Sequence, residues 1–393
     1  MARAQSSLTS APLMSQTVSA PAASSFERLS GFLRIDPSNL RLIEDAAGAA
    51  VEEGLWAEVA GLVERYAGLA PLSPRLRNLA GLAAMGEGRH ADAVALLEPL
   101  LAEAPGDPQL RFNLAWASAM TAAPEAVVAL VDEAVVAAAP AAAALKVQAL
   151  HRLGRLDEAL AEGAAYVAAG VQDQALMSAL AVAAVDAEDT DLARAYALEA
   201  GDTHEGLSTL AALALDQGQV SEATDLFDRA LAADPTSGRA QLGKGLALLA
   251  RGDSVAGTAL VEAAAARFGD HLGSWIAAGW GHFAQGDLAV ARRLFDKALA
   301  LDDSFAETHG ALAVLDVLDG RINAATRRCQ VALRLDRACL SAALAKSLMA
   351  AMQGDAGAAE RIRAAALNTP LGPDGRTLSQ AMSQLASGVG RVV

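Results

Sequence analysis

Residues 271–304 read HLGSWIAAGWGHFAQGDLAVARRLFDKALALDDS, two apolar helical patterns on either side of Gly286. Gly286 belongs to a series. Gly218, Gly252, Gly286, Gly320 and Gly354 each follow the last by 34 residues. Five residues after each stands a small side chain: Ala223, Gly257, Ala291, Ala325 and Ala359. Seven further on come Ala230, Ala264, Ala298, Ala332 and Ala366. Seven before each glycine come Ala211, Gly245, Gly279, Ala313 and Ser347. Four ladders in one register define an internal repeat.

The physical reading is direct. Each repeat is a helix, a glycine-containing turn and a second helix, the glycine supplying the left-handed conformation that ends the first helix. Small side chains let the helices approach closely. Large ones fill the remaining gaps, as Phe227 and Phe295 do four residues after their small neighbours. Pro235 stops the second helix of its unit.

This pattern resembles the tetratricopeptide repeat family, in the form of a bacterial stand-alone array. The stretch above carries the fullest set, with Trp275, Gly279, Gly286, Ala291, Phe295 and Ala298, while Asp303 replaces the family's proline. The frame continues towards the N-terminus through Gly81, Gly88, Ala93 and Pro105, and one period earlier through Gly54 and Pro71. Gly154 and Ala159 fit after a two-residue deletion. Ala193 lies 34 residues after Ala159, but Ala223 follows Ala193 by only 30. The resemblance implies an all-α fold, a right-handed superhelical solenoid of about ten helix pairs over residues 38–370.

The expected organisation is a tail at 1–23, an N-terminal array at 24–201, a C-terminal array at 202–370, and a capping helix or tail at 371–393. Residues 24–35 read as the second half of another unit, with Phe26, Leu29, Phe32 and Leu33 on its apolar face. The short step between Ala193 and Ala223 predicts a short second helix, Asp191 to Ala200, and a break in curvature at 201–206. Leu378, Met382, Leu385 and Val389 are spaced for one more helix, which either caps the last repeat or folds back into the groove.

Composition narrows the function. The chain has 393 residues, 53% of them hydrophobic but only 4% aromatic, so alanine dominates its apolar content. The longest apolar stretch, Ala134 to Leu145, is too short for a bilayer and contains Pro140. A net charge of −15 argues against a nucleic-acid partner and an anionic membrane surface. Two cysteines, Cys329 and Cys339, are too few for a disulfide framework. Together these features predict a cytoplasmic protein with no membrane insertion.

No reaction chemistry emerges from the residues. His90, His151, His204, His271, His282 and His309 lack the spacing of a metal site. No Gly-rich phosphate loop precedes a helix. The expectation is no catalytic, cofactor or metal site, and not an enzyme. The lysine and asparagine groove positions of family members that grip a C-terminal carboxylate are present only as isolated Asn78 and Asn113.

The resemblance implies that the first helix of each pair lines the concave groove. Positions there form apolar ladders: Leu246, Trp280, Val314 and Leu348; Leu249, Phe283 and Val317; Leu242, Ile276 and Leu344. Phe112 and Trp116, with Met120, are a counterpart nearer the N-terminus. These residues are either the wall of a protein-binding groove or core between helices. The sequence thus predicts a chaperone-like adaptor or scaffold holding an amphipathic or apolar segment of another protein. The alternatives are a non-catalytic recruiting or regulatory subunit of a separately encoded glycosyltransferase or secretion machinery, and a self-assembling structural protein that forms homo-oligomers.

Overall fold

The computed structural model describes residues 24–368 and Ser379. The N-terminal segment 1–23 and the helix expected around Leu378, Met382, Leu385 and Val389 lie outside the described residues. Among the described residues all regular structure is helical. The chain forms two compact units that part between Ala123 and Pro124.

The first unit contains α1 (Ser25–Ile35), α2 (Leu40–Glu52), α3 (Trp56–Ala67), α4 (Pro74–Gly86), α5 (His90–Glu103) and α6 (Pro108–Met120). A reciprocal capping box between Ser24 and Glu27 starts α1. Ser73 and Asp107, each followed by a proline in the first turn, start α4 and α6. Helices α2 and α3 pair, as do α4 and α5, and α1 lies on α2. Their core joins Leu33, Ile43, Val59, Tyr66 and Leu76. Of the apolar face expected on α1, Leu33 is buried and Phe26 and Leu29 pack partly, but Phe32 is 59% exposed.

The second unit begins with two short helices, α7 (Pro124–Leu130) and α8 (Glu133–Ala138), where a single second helix is expected. Asp132 interrupts them and caps α8 through the Val135 amide. Seven packed pairs follow. They are α9 (Ala142–Arg152) with α10 (Leu156–Ala168), α11 (Gln174–Asp186) with α12 (Thr190–Glu199), and α13 (His204–Asp216) with α14 (Val220–Ala233). Then come α15 (Gly238–Ala250) with α16 (Ser254–Phe268), and α17 (Leu272–Ala284) with α18 (Leu288–Leu301). The last are α19 (Ala306–Leu318) with α20 (Ile322–Leu335), and α21 (Leu340–Met352) with α22 (Ala356–Leu367). The boundary expected at 201/202 falls inside this unit. Helix α12 is short, 10 residues against 14 in α14, α18 and α20.

One turn geometry recurs at every first-to-second helix junction. The residue after the left-handed position donates its amide five residues back: Gln219 to Ala214 O at 2.9 Å, Asp287 to His282 O at 2.9 Å, Arg321 to Asp316 O at 2.8 Å. This is the Schellman closure, which satisfies the last carbonyls of the helix. The ladder glycines hold it with positive φ, 74° at Gly218 and 86° at Gly286. Two junctions make it without glycine. Ala122 and Glu188 occupy the same position with φ 56° and 60°, and Ala123 and Asp189 close the bond behind them.

Packing follows the small-residue ladders. Phe295, fully buried, lies against Gly279, where a Cβ would collide with its ring. Helix α19 and helix α21 touch at Gly310, where a Cβ would come within 2.6 Å of the Ala342 nitrogen. Ala311 through Val317 are consequently all buried.

Candidate functional site

The expected groove ladders separate by burial. On α15, Leu242 and Leu249 are half-buried and Leu246 is 37% exposed. On α17, Trp280 and Phe283 are half-buried. On α21, Leu344 is 42% exposed and Leu348 half-buried. Ile276, Val314 and Val317 are core residues, which corrects their assignment to the groove wall. The cause for the two valines is Gly310. Without a side chain there, α21 closes on α19 and buries Val314 and Val317 in one cluster with Ala342 and Ala345.

Trp280 and Leu344 meet in a cleft of ≈ 470 Å³ lined by Trp280 of α17, Leu340, Ser341, Ala343, Leu344 and Ser347 of α21, and Arg363, Ala366 and Leu367 of α22. Trp280 is held from behind. Its ring meets Phe283 edge-on at 5.1 Å and Phe295 at 5.4 Å between centroids. The two serines of the cleft are already engaged within the protein, and Arg363 forms a surface ion pair. Ser341 Oγ donates to the Glu307 carboxylate, Ser347 Oγ donates to Ala359 O at 3.0 Å, and Arg363 pairs with Glu360. What the cleft leaves open to a ligand is therefore apolar apart from the exposed Arg363 head group. Of the lining residues, Trp280 and Leu344 lie on the ladders, Leu340 and Ala343 lie off the three ladder positions, and Ala366 and Leu367 belong to a second helix.

A buried charge cluster fixes the helices next to this cleft. Asp316 on α19 is 2% exposed and accepts from Arg292 of α18 at 3.0 Å, Arg321 at 2.7 Å and Arg328 of α20 at 3.1 Å. Asp319 pairs with Arg292 and Arg321 as well. A buried carboxylate needs such compensation. Here it ties three consecutive helices together. The sequence signal was an aspartate inside the apolar run of α19.

Asn113 donates to Asn78 Oδ1 at 3.3 Å and accepts from Gln109 at 3.1 Å, within the first unit. Phe112 and Trp116 are half-buried in that unit, Trp116 edge-on to His90 at 5.6 Å. A second cleft of ≈ 520 Å³ has Asp132, Glu133, Lys146, Glu162 and Tyr166 on its walls, with Ala134 and Ala165 between them. Burial, reinforced by Glu162, pushes the Tyr166 hydroxyl up to about 12. Cys329 and Cys339 are free and buried. Among the described residues, no group of three or more His, Cys, Asp or Glu side chains is placed to hold a metal ion. No described helix is long and apolar enough to cross a membrane.

The helix pairs, Schellman turns and small-residue ladders define an all-α helical solenoid of the tetratricopeptide type. Solved structures share this fold. A chain of the APC/C hetero-tetramer Cut9-Hcn1 superposes with a TM-score of 0.56 at 12% identity, over 83% of this chain and 63% of the other. This chain thus spans somewhat less than two thirds of that relative. IFIT1, in a monomeric mutant solved with Gppp-AAAA, superposes with a TM-score of 0.50 at 13% identity, over 88% of this chain and 95% of IFIT1. Both are tetratricopeptide-type repeat proteins. No family model and no curated protein matches the sequence.

Proposed function

We propose that the protein is an adaptor or scaffold that holds an amphipathic or apolar segment of another protein. Its seat is the cleft between Trp280, Leu344 and Leu367, extended by Phe283 and Leu348. The single observation that carries this reading is the state of that cleft. Its serines are hydrogen-bonded within the protein, and beside the exposed Arg363 head group its lining is leucine, alanine and tryptophan. Apolar side chains left open around one aromatic anchor are the chemistry of helix-in-groove recognition. The net charge of −15 argues against nucleic acid as the occupant. The likeness to IFIT1 concerns the fold alone.

The test compares the full chain with Leu344→Asp as baits. Leu344 is exposed, so the substitution leaves the core intact. A protein retained by the full chain and lost from Leu344→Asp, with a matching loss in measured affinity for the purified partner, supports the reading. Equal retention of every bound protein by both baits refutes it. A recovered enzyme whose activity depends on the pair would specify the protein as a recruiting or regulatory subunit. Concentration-dependent growth of particles in light scattering, abolished by Leu344→Asp, would specify self-assembly.

A further inference from the structure

The net charge of −15 is not spread evenly along the second unit. Residues 124–287 hold 23 acidic and 9 basic side chains, whereas residues 288–368 hold 9 acidic and 11 basic ones. The change of sign shows on the second helices. Two residues after the small side chains that follow the ladder glycines stand Asp225, Ala259, Arg293, Arg327 and Arg361, at intervals of 34. The three arginines belong to α18, α20 and α22.

The register places these arginines on the outward side of their helices. On α18, Leu294, Phe295 and Ala298 are buried, while Arg293 and Lys297, one turn on, are exposed. On α20, Ala325, Cys329 and Ala332 are buried and Arg327 is exposed. Arg361 is exposed on α22. Other arginines of these repeats have counter-ions: Arg292, Arg321 and Arg328 converge on Asp316, and Arg363 pairs with Glu360. Among the described residues, Arg293, Arg327 and Arg361 take part in no ion pair. Helix α20 has no acidic residue, and the single one of α22, Glu360, is taken by Arg363. The single one of α18, Asp296, is exposed and pairs with neither Arg293 nor Lys297.

We infer that Arg293, Arg327 and Arg361 form a docking face for an acidic segment of a partner protein, with Lys297 at its edge. Charge complementarity names the occupant. A guanidinium presents a planar fork that matches a carboxylate, and here three stand in register without one. A segment rich in Asp or Glu that crosses the second helices meets one guanidinium per unit. A nucleic acid fits this face less well. Its charges repeat along its whole length, so it runs on from the basic stretch towards residues 124–287, where carboxylates are in excess. A short acidic segment stays within the basic stretch. The face recognises charge where the cleft by Trp280 and Leu344 recognises apolar surface, and the inference does not rest on the reading of that cleft.

Binding of a labelled polyglutamate peptide to the full chain, measured over a series of salt concentrations, tests the inference. The full chain binds at low ionic strength and releases the peptide as salt is raised. Arg293→Gln/Arg327→Gln/Arg361→Gln binds about tenfold or more weakly, with a shallower salt dependence. Its melting temperature is unchanged, because the three side chains are exposed. Arg34→Gln/Arg41→Gln/Arg194→Gln removes the same charge elsewhere and stays within about twofold of the full chain. Absence of binding by the full chain overturns the inference, as does equal weakening in the two triple variants. Tighter binding of polyuridylate RNA or of phosphatidylserine vesicles than of polyglutamate, at equal ionic strength, gives the face to another class of ligand and overturns it as well. So does self-association of the full chain that the Arg293/Arg327/Arg361 variant loses, which gives the face to a second copy.

Discussion

Trp280 packs on Phe295 across one helix pair, with ring centroids 5.4 Å apart and planes inclined at 60°. The same indole faces the cleft with Leu344. It is therefore both core and cleft wall, where the sequence left these as alternatives. Trp280→Ala is expected to cost about 3 kcal/mol of stability through the cavity it opens beside Phe295 and Phe283. It also weakens partner binding. Leu344→Ala is expected to change stability by less than about 1 kcal/mol, since Leu344 is 42% exposed. Denaturant melts of the two variants check the contrast.

The turns without glycine carry backbone strain. Glu188 and Ala122 hold φ near +60° and +56°, a conformation that costs a non-glycine residue about 1–2 kcal/mol. Glycine relieves that strain but loses more chain entropy on folding. Glu188→Gly and Ala122→Gly are therefore each expected to stabilise the fold by about 0.5–1 kcal/mol. A fall in melting temperature on either substitution would contradict the assignment of these positions.

Asp316 holds three guanidinium groups while almost wholly buried. Asp316→Ala removes their shared counter-ion, and is expected to cost about 3–5 kcal/mol, the scale for breaking a buried charge pair. Because repeats contact their neighbours, the loss should fall on α18 to α20. Hydrogen exchange in that segment, compared with α9 and α10, reads the effect.

The junction around α12 is expected to be the weaker link of the second unit. Its helix is four residues shorter than α14 or α18, so it covers less of its neighbours. Amides of residues 190–215 should exchange faster than those of 275–300. Equal protection in both segments would remove this expectation.

The thiols report on opening of the last pairs. Burial pushes the Cys339 thiol up to about 12 and raises Cys329 as well. A thiolate is the reactive species. Ellman's reagent at neutral pH should therefore label neither cysteine rapidly in the folded protein, and both after denaturation. Rapid labelling of the native protein would contradict the burial of this cluster.

Particular residues show what the sequence could reveal. The glycine ladder was legible because a left-handed turn favours glycine, so Gly218 to Gly354 marked five junctions. The junctions at Ala122 and Glu188 were hidden because those residues adopt the same conformation at a cost in energy. The ladder positions placed Trp280 and Leu344 on first helices correctly. They could not show that α21 closes over Val314 and Val317, because that depends on the absence of a side chain at Gly310. Nor could periodicity announce the split between Ala123 and Pro124, or the three arginines that meet at Asp316 from different helices.

The most direct test of the central claim is the affinity of a purified partner segment for the full chain and for Leu344→Asp, with melting temperatures measured alongside. Burying the exposed part of one leucine contributes about 1 kcal/mol, and an aspartate in its place adds an unpaired charge to an apolar seat. The predicted result is a loss of affinity of about tenfold or more at an unchanged melting temperature. Unchanged affinity in the folded variant would contradict the claim that this cleft holds the partner.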